Sequence, residues 1–326
     1  MPAHIIVQDL VKTFRTPVKN GEYGILRNFW KPDVVEKRAV DNVSFTVERG
    51  ERVAFIGPNG AGKSTTIKMM TGILRETSGM IRVAGCDPQQ DRRTLAFKIG
   101  TLFGQRSQLI ANLPVSDSFE LFGTMYELKP QTIRRRSKEL IEAFDLDAFM
   151  DRPVRKLSLG ERMRCEIAAS LLHKPEIIFL DEPTIGLDVV AKRALRTVLN
   201  RLCAEEGVTL FLTSHDAGDI EALCSRTMII NHGKLIIDEQ TDALRQRYFT
   251  VKHVRVELAG LAKGFALSSA KHIHVDGNTV TFTIDTTKHD VNTVIAELLK
   301  KYAIVDLDVA NTELEEIIAS VYAAHR

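Results

Sequence analysis

The segment Gly57-Pro58-Asn59-Gly60-Ala61-Gly62-Lys63-Ser64 constrains this chain more than any other feature. It has the pattern G-x-x-x-x-G-K-[ST], which is typical of a phosphate-binding loop. A β-rich run, Arg52–Ile56, precedes the loop, and a helical pattern follows from Thr65. The glycines let backbone N–H groups curl around a phosphate, Lys63 reaches the β- and γ-phosphates, and Ser64 offers a hydroxyl to Mg²⁺. Residues 57–64 are therefore predicted to hold the phosphates of a nucleotide.

Composition narrows the kind of protein that carries this loop. The chain has 326 residues, of which 44% are apolar and 26% charged, which indicates a globular protein of roughly two domains. Its net charge of +2 gives no electrostatic argument for nucleic acid. No apolar run approaches the ~18 residues that span a bilayer, and no signal peptide is expected from the first residues. The four scattered cysteines predict reduced thiols in a cytosolic protein: Cys86, Cys165, Cys203 and Cys224.

The first 235 or so residues alternate β-rich runs with helical patterns, which predicts an α/β domain around a largely parallel sheet. Two segments interrupt the alternation. Residues 17–37 form an insertion rich in charges and aromatic residues, and residues 115–172 contain only helical patterns. We expect a helical subdomain over about 106–172. The predicted strands are 5–7, 43–47, 53–56, 81–83, 99–103, 177–180, 209–213 and 227–230.

The chain changes character after about residue 250. Val251–Leu258 alternates as a strand does, and Asp276-Gly277-Asn278 is a hairpin signal between two further β-rich runs. Asp290 is placed to cap a helix, and Thr312-x-x-Glu315 has the pattern of a capping box. We therefore expect two domains, residues 1–248 and a small α+β domain over 249–326 that carries no catalytic motif.

A pair of acids gives the loop a chemical partner. The apolar run 177–180 leads into Asp181 and Glu182. A buried strand that delivers Asp181 to its carboxyl end would hold Mg²⁺ beside the phosphates, and Glu182 could polarise the attacking water. An apolar run ending in two acids is a weak signal alone and a strong one together with the loop at 57–64.

Four further motifs occur in a fixed order along the chain. They are Phe103-Gly104-Gln105, Leu157-Ser158-Leu159-Gly160-Glu161, Gly186-Leu187-Asp188 and Thr213-Ser214-His215-Asp216. Together with the loop and the acid pair, this set resembles the ATP-binding cassette (ABC) of ABC transporters, over about residues 4–240. The resemblance implies a P-loop NTPase cassette of α/β class with a helical subdomain, and it implies ATP and Mg²⁺ as cofactors.

The resemblance also implies a role for each matching residue. Glu182 resembles the general base, His215 the histidine that contacts the γ-phosphate, and Phe14 the aromatic residue under the adenine, where stacking needs only a π-face. Mg²⁺ would be organised by Ser64, Gln105 and Asp181, and Gln105 joins Glu182 and His215 in the catalytic set. The residues implied in ATP binding are Phe14, Gly57, Pro58, Asn59, Gly60, Ala61, Gly62, Lys63, Ser64, Thr65, Ser158, Gly160 and Asp188.

The signature motif departs from the family's usual L-S-G-G-Q at Leu159 and Glu161. Ser158 and Gly160, which the family aims at the γ-phosphate, are retained. Glu161 adds a negative charge that suits a helix start but does not help to bind phosphate. With one loop and one signature, the site would be completed by a second cassette, either another copy or a paralogue, and Asp188 would contact it.

The resemblance implies the ATP-hydrolysing subunit of an ABC transporter, with a separate membrane permease and a peripheral place on the cytoplasmic face of the cell membrane. The signature and the C-terminal domain look closest to bacterial exporters. The alternative is a soluble ABC-type ATPase that acts on the ribosome or on DNA, although no specific nucleic-acid partner is expected. A single cassette and the lack of sustained heptads disfavour that alternative. Intact Lys63, Glu182 and His215 disfavour a nonhydrolytic regulator.

Two basic segments leave alternatives open. In the insertion 17–37, the residues Ile25, Leu26, Phe29 and Trp30 share one helical face, which suits a membrane surface, a permease or packing on the sheet. The run Arg134-Arg135-Arg136 with Lys138 favours a solvated helix face over a contact with a partner.

Overall fold

The computed structural model describes residues 3–17, 34–104, 107–248, 251–262, 264–286 and 288–311. Contacts within the chain divide it into two units, 1–239 and 240–326. Three expectations fall outside the described residues: most of the insertion 17–37, the residue Gln105, and the capping box that begins at Thr312.

Among the described residues, the first unit is built on a six-stranded sheet with the order β5-β6-β7-β3-β8-β9. The pairs β5–β6, β6–β7, β7–β3 and β3–β8 are parallel, because helices connect these strands across the sheet. The strands of this sheet are β3 (Arg52–Ile56), β5 (Ile99–Phe103), β6 (Ile177–Asp181), β7 (Thr209–Thr213), β8 (Arg226–Asn231) and β9 (Lys234–Gln240). The largely parallel sheet of the sequence analysis is confirmed.

The edge strand β9 was not predicted. It follows β8 after two residues, His232 and Gly233, whose φ angles are 47° and 79°. A two-residue connection with two positive φ angles is a hairpin turn, so β9 runs antiparallel to β8. Apolar and polar residues do not alternate in Lys234–Gln240: three apolar residues, 235–237, are followed by the acids Asp238 and Glu239, so the run lacks the pattern of a half-buried strand.

A second, antiparallel sheet packs on the first. Its order is β2-β1-β4, formed by β1 (Ala3–Pro17), β2 (Val34–Glu48) and β4 (Ser78–Val83). Phe45 of β2 lies 5.9 Å from Phe55 of β3 and 6.0 Å from Phe211 of β7, measured between ring centroids. These buried rings join the two sheets into one core. Strands β1 and β2 extend well beyond the predicted runs at 5–7 and 43–47.

The expectation of a purely helical segment between 115 and 172 is confirmed, with three helices and two short 3-10 turns, Asp147–Phe149 and Val154–Lys156. The helices of the first unit are α1 (Lys63–Met70), α2 (Arg92–Ala96), α3 (Val115–Met125), α4 (Pro130–Phe144), α5 (Leu159–Ser170), α6 (Val189–Glu206) and α7 (Ala217–Leu223).

The prediction that the basic run 134–138 lies on a solvated helix face is wrong for Arg136. Its side chain is buried, and its guanidinium donates to the Glu206 carboxylate at 2.6 and 2.8 Å and to the Leu171 carbonyl at 3.3 Å. A buried arginine needs a paired acid, and that acid lies 70 residues further along the chain. Arg134, Arg135 and Lys138 are exposed as expected.

The second unit has a four-stranded antiparallel sheet among its described residues, in the order β11-β12-β10-β13. The predicted hairpin joins β11 to β12 through Gly277 and Asn278, and Asp290 caps the predicted helix by accepting the Thr293 N–H at 3.0 Å. Strand β13 was not predicted. The elements after residue 240 are α8 (Thr241–Tyr248), β10 (Val251–Leu258), β11 (Ala270–Asp276), β12 (Thr279–Asp285), α9 (Val291–Lys301) and β13 (Ile304–Asn311).

One largely buried histidine lies where the helical subdomain meets the sheet. The His173 ring stacks on Tyr126, with centroids 3.7 Å apart, and its Nε2 lies 3.0 Å from the Ile99 carbonyl oxygen. Burial lowers the pKa of His173 to about 4. The imidazole is therefore uncharged at neutral pH in the folded chain.

We expect acid to destabilise the first unit through His173. The folded chain keeps this ring uncharged down to a pKa of about 4, whereas an unperturbed histidine titrates near 6.5, so the unfolded state binds more protons between these values. The free energy of unfolding should therefore fall as the pH is lowered through this window. Denaturant unfolding at a series of pH values should show a weaker dependence for His173→Asn than for the parent chain. Parallel curves would contradict this expectation.

Candidate functional site

The glycine-rich loop is held tightly between β2 and β8. Gly62 caps the start of α1 with φ of 113°, and a Cβ there would come within 2.6 Å of the Ala39 carbonyl oxygen. A Cβ on Gly57 would come within 2.3 Å of the Ile230 carbonyl oxygen. Neither position has room for a side chain. The loop therefore keeps its backbone N–H groups at the amino end of α1, where the helix dipole favours an anion.

Phe14 shares a cavity of about 280 Å³ with this loop. Its side chain is 38% exposed, and the Lys12 ammonium lies 5.2 Å from the ring centroid. The cavity is lined by Phe14, Lys37, Ala39, Pro58, Asn59, Gly60, Ala61, Gly62, Lys63, Ser64 and Thr65. The structure thus brings Phe14 together with the loop as expected, and its stacking under an adenine stays a prediction.

Lys63 is a buried cation at the base of the loop. Its Nζ donates to the carbonyl oxygens of Gly57 at 2.5 Å and of Pro58 at 3.3 Å. Burial lowers the pKa of Lys63, while the charges of Glu182 and Asp181 raise it. A poorly solvated ammonium gains more from an anion than an exposed one does, because less water screens the pair.

Asp181 lies at the carboxyl end of β6, beside Thr213 at the end of β7. Its carboxylate is buried, and Oδ1 accepts a hydrogen bond of 2.5 Å from the Thr213 hydroxyl. The carboxyl ends of parallel strands are where this class of sheet binds ligands. The Asp181 carboxylate and the Ser64 hydroxyl are hard oxygen ligands, and Mg²⁺ takes one or two of these together with water and phosphate oxygens. The donor set therefore fits the metal that the resemblance implies.

Glu182 meets Lys63 and His215 beyond the end of β6. The His215 backbone N–H donates to Glu182 Oε2 at 3.3 Å, and the His215 Nε2 lies 3.2 Å from Glu182 Oε1 and 3.3 Å from the Lys63 Nζ. Burial raises the pKa of Glu182, against the opposing charge of Lys63. A carboxylate with raised proton affinity is better suited to take a proton from water.

His215 is the exposed member of this group, with 48% of its side chain accessible. Partial burial lowers the pKa of His215, and the Lys63 charge lowers it further. The ring is therefore uncharged at neutral pH, and it presents one N–H donor and one acceptor. Such a ring can donate one hydrogen bond to a phosphate oxygen without adding charge.

Ser158 and Glu161 form a capping box at the start of α5. The Ser158 hydroxyl accepts the Glu161 N–H at 3.3 Å, and the Glu161 carboxylate accepts the Ser158 N–H at 2.7 Å. Arg152 donates to the same carboxylate at 3.3 Å. The hydrogen bond from the Ser158 backbone holds the pKa of Glu161 below its usual value. The departure at Glu161 thus has a structural reason, since a capping box stabilises the helix that begins at the signature.

The signature packs against the segment that contains Asp188. A Cβ on Gly160 would lie 3.3 Å from the Ala191 Cβ, and Leu159 approaches Gly186. Asp188 caps α6 by accepting the Ala191 N–H at 2.8 Å. Within the described chain the candidate residues therefore form two groups. Phe14, the loop, Asp181, Glu182 and His215 make one, and the signature with Asp188 makes the other.

The loop, the parallel strand edge and the paired acids define a P-loop nucleoside triphosphatase cassette. Comparison with known proteins agrees. The family model described as ABC transporter matches residues 40–185. The ABC transporter ATP-binding protein NatA of Bacillus subtilis is 35% identical over 199 residues, which cover 61% of this chain and 80% of NatA. The linearmycin resistance ATP-binding protein LnrL of the same species is 32% identical over 246 residues, 75% of this chain and 78% of LnrL.

A solved structure is similar as well. It is a dimeric ATP-binding cassette in a post-hydrolysis state bound to ADP and Pi, and it is 26% identical with a TM-score of 0.61. The match covers 72% of this chain and 98% of that one. The chain belongs to the family of ABC transporter ATP-binding proteins, and it is an ATP hydrolase of that type. None of the described helices has the length and apolar character needed to cross a membrane.

Removal of the Lys63 ammonium should weaken ATP binding. Deleting one partner of a desolvated charge pair costs roughly 2–5 kcal/mol, which is about 30-fold or more in the dissociation constant. We expect this loss in Lys63→Ala, measured by titration calorimetry. Lys68→Ala is the matched control, because Lys68 is an exposed lysine on the same helix. Unchanged affinity in Lys63→Ala would contradict the assignment of this loop.

Proposed function

We propose that this ATPase drives a separate membrane-spanning permease and that it exports its substrate. The observation that carries the catalytic part is the convergence of Lys63 and Glu182 on His215, whose Nε2 lies 3.3 Å from the Lys63 Nζ and 3.2 Å from Glu182 Oε1. The direction of transport is supported by similarity to LnrL, whose name refers to resistance to linearmycin. A place at the cytoplasmic face of the membrane follows from partnership with a permease.

The proposed chemistry assigns one task to each of these side chains. Lys63 exchanges the carbonyl oxygens of its own loop for phosphate oxygens. Glu182 accepts the proton of the attacking water, and His215 holds the γ-phosphate in line with it. Ser64 and Asp181, with Gln105, would hold Mg²⁺, which neutralises charge on the phosphate oxygens when bound. Phe14 stacks under the adenine.

We further propose that two cassettes face each other, so that Ser158 and Gly160 of one copy complete the site of the other. The start of α6 supports this arrangement. Ile185, Val189 and Val190 are 44%, 75% and 79% exposed, and they flank Asp188. Exposed apolar residues grouped in this way mark a surface that another protein covers. The dimeric state of the similar ADP-bound cassette agrees with it.

A permease partner distinguishes this proposal from a soluble ABC-type ATPase of the ribosome or DNA. A tagged chain should co-purify from detergent-solubilised membranes with an integral membrane protein. Co-sedimentation with ribosomes and no membrane partner would favour the alternative.

Replacement of the proposed base should trap a dimer. In Glu182→Gln the shape of the side chain is kept and the proton acceptor is lost, so we expect ATP to bind and hydrolysis to fall roughly 10²–10⁴-fold. The γ-phosphate then persists between the two copies, and light scattering with ATP and Mg²⁺ should show twice the monomer mass.

The double variant Lys63→Ala, Glu182→Gln serves as a control for this trap. It lacks both the base and the buried cation that binds phosphate, so it should remain monomeric under the same conditions. A single Glu182→Gln variant that saturates with ATP and stays monomeric would refute the facing-cassette model.

We propose that residues 249–326 form an accessory domain that extends or regulates the dimer. The described part of this segment has its own core, which includes Val256, Phe282 and Leu298. None of the residues assigned to ATP or Mg²⁺ lies in it. Like-for-like contact with its twin across a two-fold axis is the simplest arrangement, since such a pair uses the same patch twice.

Truncation after Tyr248 tests this division of roles. A chain of residues 1–248 keeps every residue assigned to the nucleotide, so we expect it to bind ATP with near-normal affinity. Dimerisation or transport should weaken, as measured by sedimentation and by an export assay. A truncated chain that folds, as judged by circular dichroism, but does not bind ATP would show that the separation is wrong.

A further inference from the structure

A fully buried carboxylate lies behind the proposed catalytic group. Asp219, on the short helix α7, has no exposed surface. Its Oδ2 accepts hydrogen bonds from two hydroxyls, that of Thr184 and that of Ser214, the latter at 2.8 Å. Its Oδ1 accepts the Nε–H of Arg196 at 2.7 Å. No motif of the sequence analysis included Asp219, Thr184 or Arg196.

The two hydroxyls belong to the segments that carry the proposed catalytic residues. Thr184 follows Glu182 by two residues, and Ser214 directly precedes His215. Both hydroxyl-bearing side chains are buried. One oxygen of Asp219 therefore connects the chain just after β6 to the chain just after β7. Glu182 and His215 lie 3.2 Å apart at their closest side-chain atoms, and this connection joins the two segments from which they extend.

Arg196 fixes the carboxylate in turn. It extends from α6, and its guanidinium donates both to Asp219 and, at 2.8 Å, to Asp216. Lys192, one turn earlier on α6, donates to Asp216 at 2.5 Å. A Cβ on Gly218 would lie 2.8 Å from Arg196 Nη1, so the guanidinium rests directly against the backbone of α7. A buried carboxylate with three donating side chains, one of them the cation of Arg196, has few alternative positions.

We infer that Asp219 is a positioning residue for ATP hydrolysis, which holds the Glu182 and His215 segments in register. The inference rests on the proposed roles of Glu182 and His215. Glu182 has a left-handed backbone with φ of 56°, a conformation that persists only where the surroundings enforce it. Displacement of a reacting group by about 1 Å can cost on the order of 10²-fold in rate. A buried carboxylate that lies behind the proposed catalytic group can therefore control turnover.

The sharpest test compares a variant that lacks the Thr184 hydroxyl with a variant that keeps a hydroxyl at this position. Thr184→Val keeps the branched shape and deletes the donor to Asp219, whereas Thr184→Ser keeps the donor. We expect kcat of Thr184→Val to fall about tenfold, while the ATP dissociation constant changes by less than about twofold. Thr184→Ser should recover most of the lost rate. Asp219→Asn, which cannot accept from both hydroxyls and the guanidinium together, should lose on the order of 10²-fold in kcat.

A distant ion pair separates positioning from plain stability. Asp238 on β9 receives two hydrogen bonds from Arg226, at 2.5 and 2.6 Å, and it takes no part in the proposed site. Asp238→Asn should lower the thermal midpoint while kcat stays at the wild-type value. Thermal midpoints of all the variants, measured by calorimetry, show whether a loss of rate follows a loss of stability.

The outcomes distinguish this inference from the proposed function. A wild-type chain that hydrolyses ATP while Thr184→Val keeps the wild-type kcat would overturn the inference alone. Equal losses of rate in Thr184→Ser and Thr184→Val would also overturn it. So would a loss of kcat in Asp238→Asn as large as that in Thr184→Val at the same loss of thermal midpoint. A folded wild-type dimer that binds ATP and Mg²⁺ without hydrolysis would overturn the proposed function, and this inference with it.

Discussion

The pairing of β6 with β7 is the constraint on which the site depends. Thr213, the last residue of β7, lies opposite Asp181, the last residue of β6. Its hydroxyl donates to the Asp181 carboxylate, and its carbonyl oxygen accepts the Glu182 N–H at 3.0 Å. One residue thus fixes the proposed metal ligand and the start of the turn that carries the proposed base. Because Ser214 and His215 follow it directly, the same residue sets where the histidine begins.

Burial in the site disfavours the charged form of each ionisable group. Burial lowers the pKa of Lys63 and of His215 and raises that of Glu182, so that each group is pushed toward its neutral form. The attraction between Lys63 and the acids opposes this tendency. The charged groups of such a site are poorly hydrated. A bound triphosphate with a divalent cation supplies charges that compensate for the lost hydration. Binding of nucleotide and stabilisation of the charged forms are therefore linked.

The sequence predicted the elements that local patterns control. The loop at 57–64, the parallel strands and the Asp181–Glu182 pair all follow from short runs with a clear physical reason, and the eight predicted strands are present. What could not be predicted depends on partners far along the chain. Arg136 looks like a surface residue until Glu206, 70 residues away, is placed beside it. The bond from Ser158 to Glu161 is local, by contrast, and the S-x-x-E pattern of a capping box was the signal that could have revealed it. Strand β9 was not predicted for a different reason: it lies at the edge of the sheet, and an edge strand needs little apolar surface.

The buried hub at Asp219 was hidden in the same way, yet it connects the two groups of candidate residues. Asp188 caps the first turn of α6, and Arg196, eight residues later on that helix, holds Asp219. At 1.5 Å per residue the two lie about 12 Å apart along the helix axis. Contact alone does not establish energetic coupling. A continuous helix, however, cannot shift its capped end without shifting Arg196 unless it bends or loses its cap. Within this unit, Arg196 and Asp219 therefore join the helix that Asp188 caps to the segment that carries His215 through a continuous chain of contacts.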